Sequence, residues 1–292
     1  MDILLFVAAM LVGITAGTIT GLIPGIHVNL IASFLLILSF TLRTWIPLEL
    51  LVIVIIAMSI THTFIDFLPS ILIGVPDSET ALSVLPAHRL VHEGRGYHAI
   101  VLSAMGSLGG MAMAFLIGIP LYFLLATVYE YFTYIIPWLL SITLLLMILL
   151  ESGLRAKLLA LIAVCFAGGW GMLVLQTALV DRPLLVLFTG LFGVSALLVS
   201  LYERPGLLPA QLIETSFFFS FRFMRNLGLG GVASTLCSVS PGLGNAQAGT
   251  LASLCYRNAE TEDLLIVLSA INTITFLLSF LTFYLIDKTR TG

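Results

Sequence analysis

The chain has 292 residues, of which 60% are hydrophobic and 9% are charged, and its formal net charge is −3. Soluble domains carry charge on about a quarter of their residues, so this composition excludes an ordinary globular protein and predicts an all-α polytopic membrane protein. The small net charge argues against nucleic acid as a partner. Cys165, Cys237 and Cys255 lie in apolar runs without C-x-x-C spacing, which favours small core residues over disulfides or metal ligands.

Apolar segments follow one another along the whole chain. A helix needs about 20 apolar residues to span the bilayer core, so the segments near ten residues are expected to be half-helices or re-entrant arms. The segments are 3–22, 26–42, 48–65, 67–75, 99–127, 131–150, 158–177, 184–201, 227–240, 246–255 and 264–286. The phenylalanine-rich stretch 203–226 is expected to be interfacial. Loops that contain Arg95, Arg155 and Arg222 are predicted to share the cytoplasmic side.

Two of these apolar regions are interrupted by the same Pro-Gly motif, at positions 217 residues apart. Gly17–Leu36 contains Pro24-Gly25, and Ser234–Ser253 contains Pro241-Gly242. Proline removes a backbone donor and glycine tolerates unusual dihedral angles, so each helix is expected to unwind there. Unwound backbone at membrane depth must be buried in protein or line a cavity. Paired breaks in two halves of a chain are a strong indication of a transporter's substrate site.

The repeat extends past the breaks, because the sequence SITHT (59–63) resembles SAINT (269–273). We therefore divide the chain into a first repeat unit (1–98), central helices with an interfacial segment (99–226) and a second, incomplete unit (227–292). If four spans separate the two copies and each copy crosses the membrane an odd number of times, the two copies are inverted relative to each other. After Asn272 the first-copy pattern predicts a further break and polar arm, yet the sequence ends at Gly292. The second copy is therefore either abbreviated or a fragment of a longer chain.

Small and polar residues around the breaks are candidate ligands for a substrate and a coupling ion. The positive end of a half-helix can bind an anion, and carbonyl groups freed by unwinding can bind Na⁺. A single break would favour a plain proline kink between closely packed helices, whereas two in repeat register favour a site. The candidates at the breaks are Gly21, Pro24, Gly25, His27, Asn29, Pro241, Gly242, Gly244, Asn245 and Gln247.

Asp66 is a candidate ion-coupling residue, because a carboxylate inside the membrane normally faces a cavity and marks an ion or proton path. His62 lies four residues earlier, on the same face of a continuing helix, and Asn272 occupies the repeat position of His62. The alternative is that Asp66 ends a helix at the interface, before Pro69.

The polar stretch 76–98 allows two interpretations of its first residues. Asp77 and Ser78 follow a proline and fit either the first turn of a helix or the tip of a re-entrant arm that binds a cation. The histidines further along, at 88, 92 and 98, fit a hydrated cytoplasmic loop better than a metal site, because Glu93 is the only nearby acid and points off their face.

Three of these motifs together resemble one known family, the large membrane subunit of tripartite tricarboxylate transporters. The motifs are G-x-x-x-G-x-x-P-G from Gly17 to Gly25, the run ILIGVPDSETALSVLPAHRLVHEGRG (71–96) and SPGLGNAQAG (240–249). The resemblance implies a secondary carrier of carboxylates with inverted repeats, driven by an ion gradient. In bacteria such subunits work with a small membrane subunit and an extracytoplasmic binding protein, which it implies as partners.

We therefore expect a multi-pass plasma-membrane transporter, not an enzyme, that moves a small organic anion of the carboxylate type together with Na⁺ or H⁺. No cofactor is expected besides the coupling ion, and the other expected contacts are membrane lipid, with a homo-oligomer left open. A nucleotide-driven pump is disfavoured because the sequence has no G-x-x-x-x-G-K-[ST] loop. One alternative is a non-transporting scaffold or partial permease subunit. A more distant one is an intramembrane aspartyl protease, whose two carboxyls, Asp66 and Asp77, would have to share a proton.

Overall fold

The computed structural model describes residues 3–42, 46–74, 79–176, 194, 198, 202, 209–213, 219–239, 243–255 and 260–286. Within these ranges the regular structure is entirely helical, which confirms the predicted all-α class. The helices are α1 (Ile3–Leu22), α2 (Val28–Leu42), α3 (Leu48–Ile65), α4 (Phe67–Leu72), α5 (Val84–His92), α6 (Gly96–Leu150), α7 (Leu154–Gln176), α8 (Phe221–Val239), α9 (Asn245–Leu254) and α10 (Thr261–Ile286), with a 3₁₀ turn at Ala81–Ser83.

Five of the described helical segments are long and apolar enough to cross a bilayer, which confirms a polytopic membrane protein. They are Ile3–Leu22, Leu48–Leu72, Gly96–Leu125, Leu154–Val174 and Thr261–Leu285. The second of these joins α3 and α4 through a single turn residue, Asp66. Large apolar side chains on α1, α2 and α7 are exposed, as expected for surfaces that face lipid rather than water.

Two element boundaries differ most from the prediction. The segments 99–127 and 131–150 form one continuous helix, α6, which contains Pro120 and Pro137. The residues between the two segments include no glycine or proline that would end a helix. Helix α8 begins six residues before the predicted 227, because the Ser220 hydroxyl accepts a hydrogen bond from the Phe223 N–H at 3.2 Å and caps the first turn. Apart from residues 194 and 198, the predicted segment 184–201 lies outside the described residues.

The chain divides into two compact units. One comprises Met1–Leu140 and Leu208–Gly292, and the other comprises Ser141–Leu207. The core of the first unit includes Phe67, Leu90 and Ile274, and a second cluster around Cys237 joins α8, α9 and α10. In the second unit, α7 carries exposed apolar side chains along its described length.

Small residues bring the helix before each break against the second helix after the break, which is α3 in the first copy and α10 in the second. In the first copy, a Cβ atom at Gly13 would lie 2.6 Å from the Val54 carbonyl oxygen of α3. In the second copy, a Cβ atom at Gly230 would lie 3.3 Å from Ala270 of α10, and the Ser234 hydroxyl donates to the Ile271 carbonyl at 3.4 Å. This close packing places polar side chains near each break beside α3 and α10.

Candidate functional site

The first predicted break is present between α1 and α2. Helix α1 ends at Leu22 and α2 begins at Val28. Between them Gly25 has a φ of 90°, in the left-handed region that favours glycine. Apart from its chain neighbours, no heavy atom of the described residues lies within 4 Å of a Cβ atom built at Gly25, so the position borders open space. Pro24 directly precedes it.

The His27 ring lies at the start of α2 and points back toward α3. Its Nδ1 accepts a hydrogen bond from the Asn29 backbone N–H at 3.2 Å, so a neutral His27 ring carries its proton on Nε2. The ring centroid lies 5.8 Å from that of His62. The first break therefore places one predicted site residue next to another.

The His62 ring is buried between α1 and α3, with 4% of the residue exposed. Its Nδ1 lies 3.0 Å from the Thr20 hydroxyl oxygen, and that hydroxyl donates its single proton to the Gly17 carbonyl at 3.1 Å. When the hydroxyl proton points to Gly17, His62 Nδ1–H is the donor to Thr20. Gly21 belongs to the same interface, since a Cβ atom there would lie 2.7 Å from the Ile65 Cβ.

Asp66 lies inside the Leu48–Leu72 span and is 4% exposed. Its backbone N–H donates to the His62 carbonyl at 2.9 Å, so the helix continues and the two side chains share a face as predicted. A buried carboxylate must be compensated by hydrogen-bond donors or charges. One such donor comes from the other end of the sequence.

Asn272 of α10 supplies that donor and joins Asp66 to the second break. Its Nδ2 donates to Asp66 Oδ2 at 2.8 Å. Its Oδ1 accepts from Asn245 Nδ2 at 3.0 Å. All three residues are 4% exposed or less. Because Asn245 is the first residue of α9, a continuous line of buried hydrogen bonds runs from the second break to the carboxylate.

The described part of the second break consists of Leu243 and Gly244, and α9 begins at Asn245. The Gly244 N–H donates to Gln247 Oε1 at 2.8 Å, and its carbonyl accepts from the Cys237 thiol at 3.4 Å. Gln247 therefore caps the start of α9 rather than pointing away from it. Four candidate residues, Pro241, Gly242, Asp77 and Ser78, lie outside the described residues.

A set of hydroxyl groups that was not predicted as a site lines the crossing of α3, α6 and α10. The Thr273 hydroxyl donates to the Thr63 hydroxyl at 3.3 Å, and Ser107 Oγ lies 3.5 Å from the carbonyl oxygens of both Thr63 and Ser269. Helix α6 comes this close because a Cβ atom at Gly110 would lie only 2.9 Å from Ala270 Cα. The sequence could have indicated these hydroxyl groups, because the matching segments 59–63 and 269–273 contain Thr63 and Thr273. It could likewise have indicated Thr20, which lies one turn before Pro24.

Ion pairs gather at the N-terminal end of α10. Arg95 donates to Glu262 at 2.6 Å, and His98 Nε2 lies 3.3 Å from the same carboxylate oxygen. Arg222 donates to Asp263 at 2.5 Å. The loops of Arg95 and Arg222 therefore meet at one end of α10, in line with their predicted common side. Among the described residues, no group of three or more His, Cys, Asp or Glu side chains could hold a metal ion.

A separate apolar groove lies between α6 and α10, with a volume of about 470 Å³. Its lining includes Phe115, Tyr122, Phe123 and Leu281, with almost no polar surface. A small anion would lose its hydration there without gaining hydrogen-bond donors, so this groove does not fit such a ligand.

Comparison with known proteins agrees with the resemblance found in the motifs. The model of the family described as "Tripartite tricarboxylate transporter TctA family" matches residues 7–292. An uncharacterized protein of Methanocaldococcus jannaschii is 31% identical over 286 residues, which cover 97% of this chain and 70% of that protein. No solved structure matches the chain. The chain therefore belongs to the tripartite tricarboxylate transporter TctA family, a family of multi-pass membrane transporters and not of enzymes.

Proposed function

We propose that the chain transports a small organic anion of the carboxylate type through a site between the two breaks, with Asp66 as the ion-coupling residue. The observation that carries this proposal is the buried line from Asn245 through Asn272 to Asp66. It connects the start of a half-helix, where an anion can bind, to an intramembrane carboxylate, where a cation or proton can bind.

The preference for an anion rests on the ends of two helices. Helices α2 and α9 both begin directly after a break, so their first-turn N–H groups and positive dipole ends lie where the chain is unwound. Neither helix contains a charged residue that would neutralise this potential. A cationic substrate would meet an unfavourable potential at both breaks.

The coupling ion is Na⁺ or H⁺, since both can neutralise a buried carboxylate. The family name implies an assembly of three components, so we include a small membrane subunit and an extracytoplasmic binding protein among the proposed partners. Membrane lipid around the spans and a second copy of the chain complete the proposed partners. No cofactor enters the proposal besides the coupling ion.

Direct binding is the first test, because it does not require the partner subunits. Purified protein is incubated with labelled citrate, labelled succinate and, as a cationic comparison, labelled choline. We expect binding of a carboxylate and none of choline. Asn245→Leu should lose most of this binding, whereas Thr250→Val should retain it, because the Thr250 hydroxyl bonds within its own helix, to the Ala246 carbonyl at 2.9 Å.

Uptake into proteoliposomes, under imposed Na⁺ or pH gradients, then tests transport. Accumulation of a carboxylate above its external concentration would support a secondary carrier. Binding of choline in preference to carboxylates, or equal binding by both variants, would contradict an anion site at the breaks. Absence of binding and uptake for every carboxylate would favour the scaffold alternative.

A further inference from the structure

We propose that Asn272 couples the ionisation of Asp66 to the second break by reversing its side-chain amide, and that the coupling ion is a proton. The proposal rests on the proposed function and specifies how the same site couples ion and substrate. It assigns Asn272 a positioning role and makes Asn245 the group that contacts the anion.

The direction of the hydrogen bonds follows from the chemistry of the three side chains. An ionised carboxylate only accepts hydrogen bonds, so the Asn272 amide must turn its Nδ2 toward Asp66, at 2.8 Å. Its Oδ1 then faces Asn245, which must donate through its own Nδ2, at 3.0 Å. With Asp66 ionised, each hydrogen bond in this line is donated toward Asp66.

Protonation of Asp66 favours the opposite polarity. A proton from water binds Asp66 Oδ2, and the new O–H group can donate to an oxygen of Asn272. The Asn272 amide then rotates by half a turn, so that its Oδ1 accepts from Asp66 and its Nδ2 faces Asn245. Asn245 must now accept through Oδ1, so its amide rotates as well. One proton is gained, and no other covalent bond is formed or broken.

The reversal changes what Asn245 presents on the side away from Asn272. With Asp66 ionised, Asn245 directs its amide oxygen to that side, which repels a carboxylate. With Asp66 protonated, it directs its N–H groups there, beside the first-turn amides of α9, and can donate to a carboxylate. Proton and anion therefore favour each other's binding, as symport requires.

Two contacts favour a proton over Na⁺ at Asp66. Sodium sites in broken helices use carbonyl groups freed by unwinding. Here the His62 carbonyl accepts from the Asp66 N–H at 2.9 Å, and the Asp66 carbonyl accepts from the Ser70 hydroxyl at 3.1 Å.

The effect of other titratable groups on the pH dependence of binding must be distinguished from the effect of Asp66. Helices α1, α2, α4 and α9 contain no histidine or charged side chain. Those on the remaining elements and at their ends are Glu49 and His62 on α3, His27 before α2, Glu79 in the turn after α4, His88, Arg89 and His92 on α5, Glu93 and Arg95 between α5 and α6, His98 and Glu130 on α6, Arg222 and Arg225 on α8, and Glu260, Glu262 and Asp263 at the start of α10. His62 and His27 are the two histidines at the first break, so His62 needs its own variant.

The experiment measures the affinity of the purified protein for labelled citrate from pH 5.5 to pH 8.5. Ionisation of citrate affects every variant equally and cancels when each is compared with Asp66→Asn. Relative to that variant, wild-type affinity should fall with rising pH by up to about tenfold per pH unit, the limit for one linked proton. Asp66→Asn, which offers N–H donors as a protonated acid offers O–H, should keep tight binding at high pH.

Two further variants and two controls identify the relay. Asn272→Leu should lose the pH dependence. Asn272→His should restore it, because an imidazole has one donor and one acceptor that exchange places between tautomers, and this variant stays informative where Asn272→Leu fails to fold. The controls Thr275→Val, one turn along α10, and His62→Gln should keep the wild-type profile.

An identical pH dependence in wild type and Asp66→Asn would overturn the relay. So would a dependence, measured relative to Asp66→Asn, that persists in Asn272→Leu or disappears in His62→Gln. So would a wild type whose affinity does not change with pH and whose uptake follows only the Na⁺ gradient. Those results would leave anion transport intact. Absence of citrate and succinate binding at every pH would instead contradict the proposed function itself.

Discussion

Thr63 and Thr273 lie 210 residues apart in the sequence, and their hydroxyl oxygens are 3.3 Å apart in the structure. The same offset relates His62 to Asn272. Equivalent residues of two copies lie close together near the two-fold axis that relates the copies. The proposed repeat would therefore produce this contact. The orientation of the copies stays a prediction.

The two copies differ in what they place beside this contact. Asp66 has no carboxylate counterpart, since the position 210 residues later is Phe276. His62 of the first copy bonds to Thr20 of its own copy, whereas Asn272 bonds across to Asp66. In the proposed mechanism the first copy therefore contributes the ion-coupling group, and the second contributes the amides that respond to it.

The first prediction concerns Gly25 at the first break. Gly25→Ala should lower the affinity for carboxylates, because a Cβ atom disfavours the φ of 90° and the chain must leave the unwound conformation. The matched control is Gly153→Ala, since Gly153 has a φ of 87° and likewise no heavy atom within 4 Å of a built Cβ atom. Both variants should lose about 1 kcal/mol of stability. Citrate binding that falls equally in both, or in neither, would contradict a role for Gly25.

A second prediction tests the packing that holds α1 against α3. A Cβ atom at Gly17 would overlap the Met58 carbonyl oxygen, so Gly17→Ala should lower the free energy of unfolding by about 1–3 kcal/mol. Gly228→Ala on α8 is the control, because no heavy atom lies within 4 Å of that position, and it should be neutral or stabilising by up to about 1 kcal/mol. Thermal unfolding of the purified protein measures both. An unchanged transition in Gly17→Ala would show that the two helices separate without cost.

Much of the fold could be predicted from the sequence, because hydrophobic segments and helix-breaking residues act locally. The bounds of α1 (Ile3–Leu22) and α3 (Leu48–Ile65) match the predicted segments, since proline and polar residues mark their ends. The predicted split within α6 was wrong, because the bounds of a helix through membrane depend on tertiary packing as well as on hydropathy.

Contacts between residues far apart in the sequence could not be predicted in this way. His62, Asp66 and Asn272 were all candidates, yet nothing local pairs Asp66 with a residue 206 positions later. That pairing arises where α3 crosses α10, beside α6, which packs closely on α10 because Gly110 has no side chain. Thr20 was missed because a hydroxyl in an apolar helix more often bonds only to its own backbone.

The third prediction concerns pH. Burial, and then the neighbouring charge of His92, lower the pKa of His88 below its ordinary value. A histidine whose pKa is lower in the folded state binds fewer protons there, so its contribution to stability is present above the unfolded pKa of about 6.5 and is lost as the pH falls through and below it. His88→Gln should therefore reduce the loss of thermal stability between pH 7 and pH 5. An identical pH dependence in wild type and variant would rule this contribution out.

The last prediction concerns the ion pairs at the N-terminal end of α10. The Asp263 side chain is 4% exposed, and Arg222 is its charged partner, with Asn226 Nδ2 as a neutral donor at 2.8 Å. Arg222→Met leaves a buried carboxylate without its counter-charge, so the free energy of unfolding should fall by about 3 kcal/mol.

The matched control is Arg89→Met, because the pair between Arg89 and Glu93 is solvent-exposed, with side-chain exposures of 73% and 45%. Exposed pairs contribute about 1 kcal/mol or less, so this variant should unfold close to the wild-type temperature. Adding Asp263→Asn to Arg222→Met should recover part of the loss, because the unpaired charge is then removed. Equal destabilisation by Arg222→Met and Arg89→Met, or no recovery in the double variant, would show that burial of the Asp263 charge does not determine the stability of this end of the helix.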